Sequence, residues 1–299
     1  MDRRTFLTSA GAIGATLGLS IIPLGNLQRA LAQATPVATP NLFAELGLPE
    51  VTVTATADSY AVSDSSIAAG RYLVHLSNQS PVEIYAAFLQ LPEGVTADDF
   101  SALLTDPETM GPPEWYSTTF SPGGISATPG EESWVVLDLP AGAYAVHTDT
   151  PEAGLPAVAL EVTGEMPADL PVPAATAKVD MVEMMFHFDP PIVVGPQIVE
   201  VVNSGEQMHF FTLAAVPPGT TVEDFMGLAA SFTGTPTESP LAFEDIQPYF
   251  DTANQSPGTT SWAAINVDPG TYLAVCFVSD AETGAPHAML GMAEILEIA

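Results

Sequence analysis

Apolar residues recur along this chain in short runs separated by turn formers. Examples are Ile192 to Val202, His209 to Val216, Ser261 to Val267, Thr271 to Ser279 and Met292 to Ile298. Runs of this length, alternating or continuous and bounded by Pro, Gly, Asn and Asp, predict β-strands. The 28 prolines and 23 glycines supply the punctuation. One short helix is expected after each Pro-x-Gly-x-Thr turn, with Val222, Phe225 and Met226 on one face in the later copy.

The pattern repeats. Asn78-Gln-Ser-Pro-Val-Glu-Ile84 aligns with Asn203-Ser-Gly-Glu-Gln-Met-His209. Leu91 to Phe100 aligns with Val216 to Phe225 at the same offset. Pro129-Gly-Glu-Glu-Ser-Trp134 aligns with Pro257-Gly-Thr-Thr-Ser-Trp262, and Gly142-Ala-Tyr144 with Gly270-Thr-Tyr272. Leu155-Pro156 aligns with Ala285-Pro286. Two β-rich halves with frequent turns predict an all-β protein of two tandem Greek-key β-sandwich domains, over 51–166 and 174–299. The boundary falls in the proline-rich stretch Pro167 to Pro173.

The N-terminus departs from this pattern. Met1-Asp-Arg-Arg-Thr-Phe-Leu7 precedes a mostly apolar run to about Gly25, then Ala30-Leu-Ala-Gln-Ala34. Residues 1–34 therefore read as a twin-arginine export signal with a small-residue cleavage site. An uncleaved anchor is the competing reading, because Thr8 to Gly25 could nearly span a bilayer. Pro23, Gly25 and the closing alanines favour cleavage, after which no membrane insertion is expected. Residues 35–50 read as a Pro/Thr-rich linker. The expected location is extracytoplasmic: periplasmic, cell-surface or secreted.

Charge narrows the partners. Of 36 acidic residues only Asp2 precedes residue 35, and of five basic residues only Arg71 and Lys178 follow it. That leaves 35 acidic residues against two basic ones, a formal charge of −33. Such a field repels nucleic acid and anionic lipid. With so few cations, apolar burial and hydrogen bonds must hold the fold.

The candidate chemistry sits in the second half. Cys276, the sole cysteine, ends the apolar run Gly270-Thr-Tyr-Leu-Ala-Val-Cys276 and has no internal disulfide partner. His287 and Met292 follow in Pro286-His-Ala-Met-Leu-Gly-Met292, and His209 precedes Phe210-Phe-Thr-Leu213. Taken singly, each reads more readily as a core thiol, a hydrogen-bonded imidazole or a packing methionine. Taken together, one thiolate, two imidazoles and one thioether form a ligand set suited to copper. Zinc fits less well, since structural zinc favours more Cys or His. Met289 competes with Met292 as the thioether, and spacing favours Met292. His75, His147 and His187 read as structural. Met181, Met184, Met185 and Met208 read as core methionines rather than a copper-loading patch, with Met184 and Met185 on opposite faces of a strand.

From about Ala174 to Ala299 the chain resembles the cupredoxins, the plastocyanin- and azurin-like blue copper domains. The resemblance rests on His209 delivered after Asn203-Ser-Gly, on Asp268-Pro-Gly-Thr-Tyr272 leading to Cys276, and on His287 and Met292 with four residues between them. It implies one copper ion per chain held by His209, Cys276, His287 and Met292. It further implies an exposed His287 edge for electron exit, set in an apolar docking surround. Two departures bear on tuning: ten residues separate Cys276 from His287, and Phe210 stands where many blue copper proteins carry a bracing Asn. In the first half Ile84, Thr148 and Ala157 replace His209, Cys276 and His287, so that half is expected to be a degenerate copy without copper.

The function expected is an exported electron carrier serving a redox protein partner, with no catalytic residues. The alternative is a copper-binding or delivery protein, or an interaction module, without redox turnover. A multicopper oxidase is disfavoured, because such enzymes need further histidine clusters and a His-Cys-His run, whereas Cys276 lies between Val275 and Phe277 among five histidines in all.

Overall fold

The computed structural model describes residues 39–105, 114–150, 153–231 and 239–299. The expected signal over 1–34 lies outside the described residues. Among those that are described, no helix is long and apolar enough to cross a membrane.

Among the described residues the first half contains nine strands: β1 (Glu50–Ala55), β2 (Tyr60–Val62), β3 (Ser66–Ala68), β4 (Gly70–Asn78), β5 (Ile84–Gln90), β6 (Gly123–Ala127), β7 (Glu132–Leu139), β8 (Gly142–His147) and β9 (Val158–Thr163). The second contains eight: β10 (Ala177–Val182), β11 (Met185–Phe188), β12 (Gly195–Asn203), β13 (Thr212–Val216), β14 (Gln247–Asp251), β15 (Thr260–Val267), β16 (Gly270–Val275) and β17 (Ala293–Ile298). Helices α1 (Ala97–Thr105) and α2 (Val222–Ser231) occupy equivalent places. Each follows a Thr whose hydroxyl accepts from the amide three residues on, while the Asp there accepts in return: Thr96 with Asp99, Thr221 with Asp224. This reciprocal cap fixes where both helices begin.

The repeat seen in the residues is a repeat of pairings. β1 runs parallel to β4, which pairs antiparallel with β7; β10 and β12 do the same with β15. β5 lies between β6 and β8, and β13 between β14 and β16. Shared side-chain devices hold both copies. Asn78 Nδ2 donates to the carbonyls of Val82 and Ala127, as Asn203 Nδ2 donates to those of Gln207 and Gln255. The Tyr144 hydroxyl donates to Pro140 O and the Tyr272 hydroxyl to Asp268 O, each four residues upstream.

The halves are not separate sandwiches on a tether. β7 and β15 pair directly, Trp262 opposite Val136 and Ala263 opposite Val135. One eight-stranded sheet results, ordered β11-β10-β12-β15-β7-β4-β1-β2. The order is a palindrome of equivalent strands, the signature of a pseudo-two-fold between the halves. A five-stranded sheet, β3-β9-β8-β5-β6, and a four-stranded sheet, β14-β13-β16-β17, complete the two sandwiches. Alternation aims Val51, Val53, Val179, Val199 and Val201 inward from the large sheet, where they join Ile84, Phe88, Leu213, Tyr272 and Ala274 in one core. The other face is partly covered at the junction. There Phe43, from the middle of the expected 35–50 linker, is 1% exposed and packs with Leu73, Val136 and Trp262.

Candidate metal centre

Antiparallel pairing brings the candidate ligands together. Thr212, at the start of β13, pairs with Val275 at the end of β16, and Val275 pairs with Ala293 at the start of β17. His209 lies just before β13, Cys276 just after β16 and Met292 just before β17, so all three sit at one end of the four-stranded sheet. His287 opens a 3-10 turn, His287–Leu290, within the connection from β16 to β17. Backbone bonds lock this end: Cys276 N donates to Met292 O at 3.2 Å, Ala288 N to Cys276 O at 2.8 Å, and His287 N to Val278 O at 2.8 Å. His209 exchanges both backbone bonds with Gln255, at 3.1 and 2.7 Å.

The donor atoms converge. Cys276 Sγ lies 3.9 Å from His209 Nδ1 and 3.7 Å from His287 Nδ1, and the two Nδ1 atoms are 3.0 Å apart. A first-row cation bound at about 2.0–2.1 Å from nitrogen and about 2.3 Å from sulfur, in a trigonal plane, would separate sulfur from nitrogen by about 3.8 Å. Both sulfur–nitrogen distances match that spacing, while the two nitrogens lie closer than the ~3.5 Å of an ideal trigonal plane. All three side chains and Met292 are fully buried. Met292 shares the main core with Cys276, whereas Met289 packs instead with Val216, Phe225, Leu273 and Val275. The geometry thus places Met292, and not Met289, beside the sulfur's side of the sheet.

Burial sets the protonation of the three donors. Burial pushes the Cys276 thiol up to about 12; the amides of Phe210 and Val278 bond to the sulfur and oppose this, and nearby Asp251 adds to it. Burial, with His209 beside it, lowers His287 to about 4, and burial also lowers His209. Neutral imidazoles and a thiol offering two converging Nδ1 atoms and one sulfur are ready for a cation that binds thiolate and imidazole.

The departures noted in the sequence have structural answers. The Phe210 side chain cannot brace the cysteine by hydrogen bonding, but its backbone amide does. The long Cys276–His287 segment folds on itself through an isolated bridge between Ser279 and Pro286. Within it Asp280 Oδ2 accepts from the amide and hydroxyl of Thr283, both at 2.7 Å, which with Gln207 hold the Asp280 carboxyl down to about 2. Gln207, two residues before His209, donates to Asp280 Oδ1 at 2.9 Å and accepts from Ala281 N at 2.8 Å. Two ligand-bearing loops are thereby tied together.

Two expectations need correction. His287 does not present an exposed edge: it is 0% exposed, and Glu183 and Asp280 stand near it. The exposed large apolar group near it in sequence is Leu290, on the ligand turn. Nor do Met184 and Met185 point to opposite faces of a strand, because Glu183 and Met184 form the two-residue turn between β10 and β11, with Met184 at φ 61°.

The remaining histidines stand elsewhere. His75 stacks on Trp134 with ring centroids 5.3 Å apart, His187 lies in β11 opposite Asp180, and His147 is 3.3 Å from Asp149. In the first half Ile84 is fully buried where His209 has its counterpart. Thr148 Oγ1 accepts from Tyr85 N at 3.1 Å, so a hydroxyl receives the amide that Cys276 receives from Phe210. Residues not singled out from the sequence are Glu183, Gln207, Gln255 and Asp280. Their roles depend on contacts between loops, which strand periodicity does not encode.

Fold and site together define a β-sandwich protein with a buried His–Cys–His cluster that could hold a metal ion. No protein-family model matches the chain, and no curated protein sequence does. Among solved structures, reduced auracyanin from the photosynthetic bacterium Roseiflexus castenholzii is 16% identical, covering 41% of this chain and 94% of its own, with a TM-score of 0.25. A multi-copper oxidase from Pediococcus acidilactici is 12% identical, covering 91% of this chain and 62% of its own, with a TM-score of 0.22. A blue copper oxidase from Nitrosomonas europaea is 12% identical, covering 84% and 86%, with a TM-score of 0.22.

Proposed function

We propose that this protein is an exported electron carrier that holds one copper ion through His209, Cys276, His287 and Met292. The observation that carries the reading is the buried triangle of two Nδ1 atoms and one sulfur, close enough together to share one cation. When bound, copper supplies a one-electron couple. The chain's residues do the rest. His209 and His287 present Nδ1 inward, Cys276 offers sulfur stabilised by two backbone amides, and the buried walls exclude water. A thiolate, two imidazoles and a distant thioether suit both oxidation states, so little must move as the electron passes. The tied ligand loops favour this role over delivery, which calls for a site that opens. His75, His147 and His187 stand apart from the cluster, which supports a carrier over an oxidase needing several coppers. The partner is read as a redox protein outside the cytoplasm, and the acidic surface suits one with a basic face.

Adding Cu(II) to the purified protein should give an intense thiolate-to-copper absorption band, lost in Cys276→Ser, and reversible voltammetry without metal loss. A band that appears but vanishes with copper release on reduction would favour delivery. A colourless protein that binds no copper would end the copper reading.

A further inference from the structure

The turn between β10 and β11 lies over the metal-binding end, and it brings a carboxylate to the back of a ligand. Glu183 Oε1 is 3.7 Å from His209 Nε2. That nitrogen is buried and has no hydrogen-bond partner, and it is the atom of the ring facing away from Cys276. The carboxylate is itself fixed. Oε1 accepts from Gln207 N at 2.9 Å and from Glu206 N, two amides of the segment leading into His209. Ser204 N and Gly205 N both donate to Met181 O at 3.2 Å, and Ser204 Oγ bonds Asp180. Gly205 leaves room for the arrangement, since a Cβ there would meet Glu183 Oε1 at 2.5 Å. The turn accepts a left-handed Met184, at φ 61°, a conformation uncommon for a side-chain-bearing residue. The first half, where Ile84 takes the place of His209, lacks this device. Its corresponding connection, Thr56 to Ser59, is two residues longer, and the two hydroxyls at its ends bond each other at 2.7 Å.

We propose that Glu183 is the positioning residue for His209. Its carboxylate faces the Nε2–H of the ligand imidazole, commits Nδ1 to the metal and adds negative charge behind the ring. A carboxylate behind a ligand histidine fixes the tautomer and raises its basicity. The inference rests on the copper reading above, and it adds the residue that sets how strongly Cu(II) is held relative to Cu(I).

The test compares wild type with Glu183→Gln, in which the amide oxygen can still accept from Glu206 and Gln207 but the charge is gone. Asp58→Asn, an exposed carboxylate in the first half, controls for loss of any one charge. Cu(II) and Cu(I) affinities are measured by competition with chelators, and the reduction potential by voltammetry. Glu183→Gln should weaken Cu(II) binding about 10–100-fold, weaken Cu(I) binding less, and so raise the potential, while Asp58→Asn changes none of these. Unchanged affinities and potential in Glu183→Gln would overturn the proposal, leaving Glu183 a clamp on the loop. Equal shifts in both variants would overturn it too, as a general charge effect. Wild type that binds no copper would instead remove the reading beneath it, a distinguishable outcome.

Discussion

At the scale of the residue, the site is two neutral imidazoles and a thiol kept from water. His287, lowered to about 4, faces His209, Asp280 and Glu183; Cys276, raised to about 12, has Asp251 near it. Between an unfolded histidine value of about 6.5 and the folded value, the unfolded chain binds a proton that folded His287 refuses. Stability of the metal-free protein therefore falls as pH drops through that window, by about 3 kcal/mol from this residue. The thiol acts in the opposite window. Above about 8.5 the unfolded cysteine loses its proton first, so stability falls again as pH rises toward 12. Denaturant unfolding of metal-free wild type against His287→Asn isolates the acid limb from the titration of the many carboxylates. Wild type should lose stability relative to the variant from pH 6.5 to 4, and parallel curves would contradict the assignment.

At the scale of the element, the ligands are where three antiparallel strands end, and the loops beyond them are tied rather than loose. Asp280→Ala removes the acceptor for Thr283 N, Thr283 Oγ1 and Gln207 Nε2. This should loosen the ligand loop and speed copper loss to a chelator; an unchanged loss rate would show that the long loop does not restrain the site. Much of this level was legible in the residues. The apolar runs predicted β12, β13, β15, β16 and β17 to within a few positions, and the Thr-to-Asp spacing starts α2 where Val222, Phe225 and Met226 line up. The misses have physical causes. The run to Ser279 reads as strand throughout, yet β16 stops at Val275: beyond it Cys276 O and Val278 O accept from Ala288 and His287, and Ser279 bridges Pro286, so the chain closes a loop instead of continuing the ladder. Met184 and Met185 look like strand residues, but the chain reverses at Glu183 and Met184. The family resemblance implies an exposed His287, whereas the structure buries it fully.

At the scale of the whole molecule, the two halves share a sheet and a cation. Arg71 donates to both carboxylate oxygens of Asp138 at 2.7 Å and to Pro171 O at 2.9 Å, and its guanidinium lies 4.4 Å from the centre of the Trp262 ring. One buried arginine thus joins β4, β7, the connection between the halves and β15. Across the same junction the Tyr85 hydroxyl donates to Asp251 Oδ2 at 2.7 Å. Arg71→Ala should cost about 2–3 kcal/mol, less than a fully buried pair because Asp138 is partly exposed. The loss should lower a single melting transition for both halves, and two separate transitions in wild type would contradict the shared-sheet account. The first half serves as a wall, since β7 covers the edge that β15 would otherwise expose. The central claim remains the copper triangle in the other half, and X-ray absorption at the copper edge on the loaded protein reads it most directly. The account predicts one copper per chain, with two nitrogen ligands at about 2.0 Å and one sulfur at about 2.2–2.3 Å. Copper bound without a short sulfur contact, or two coppers per chain, would contradict it.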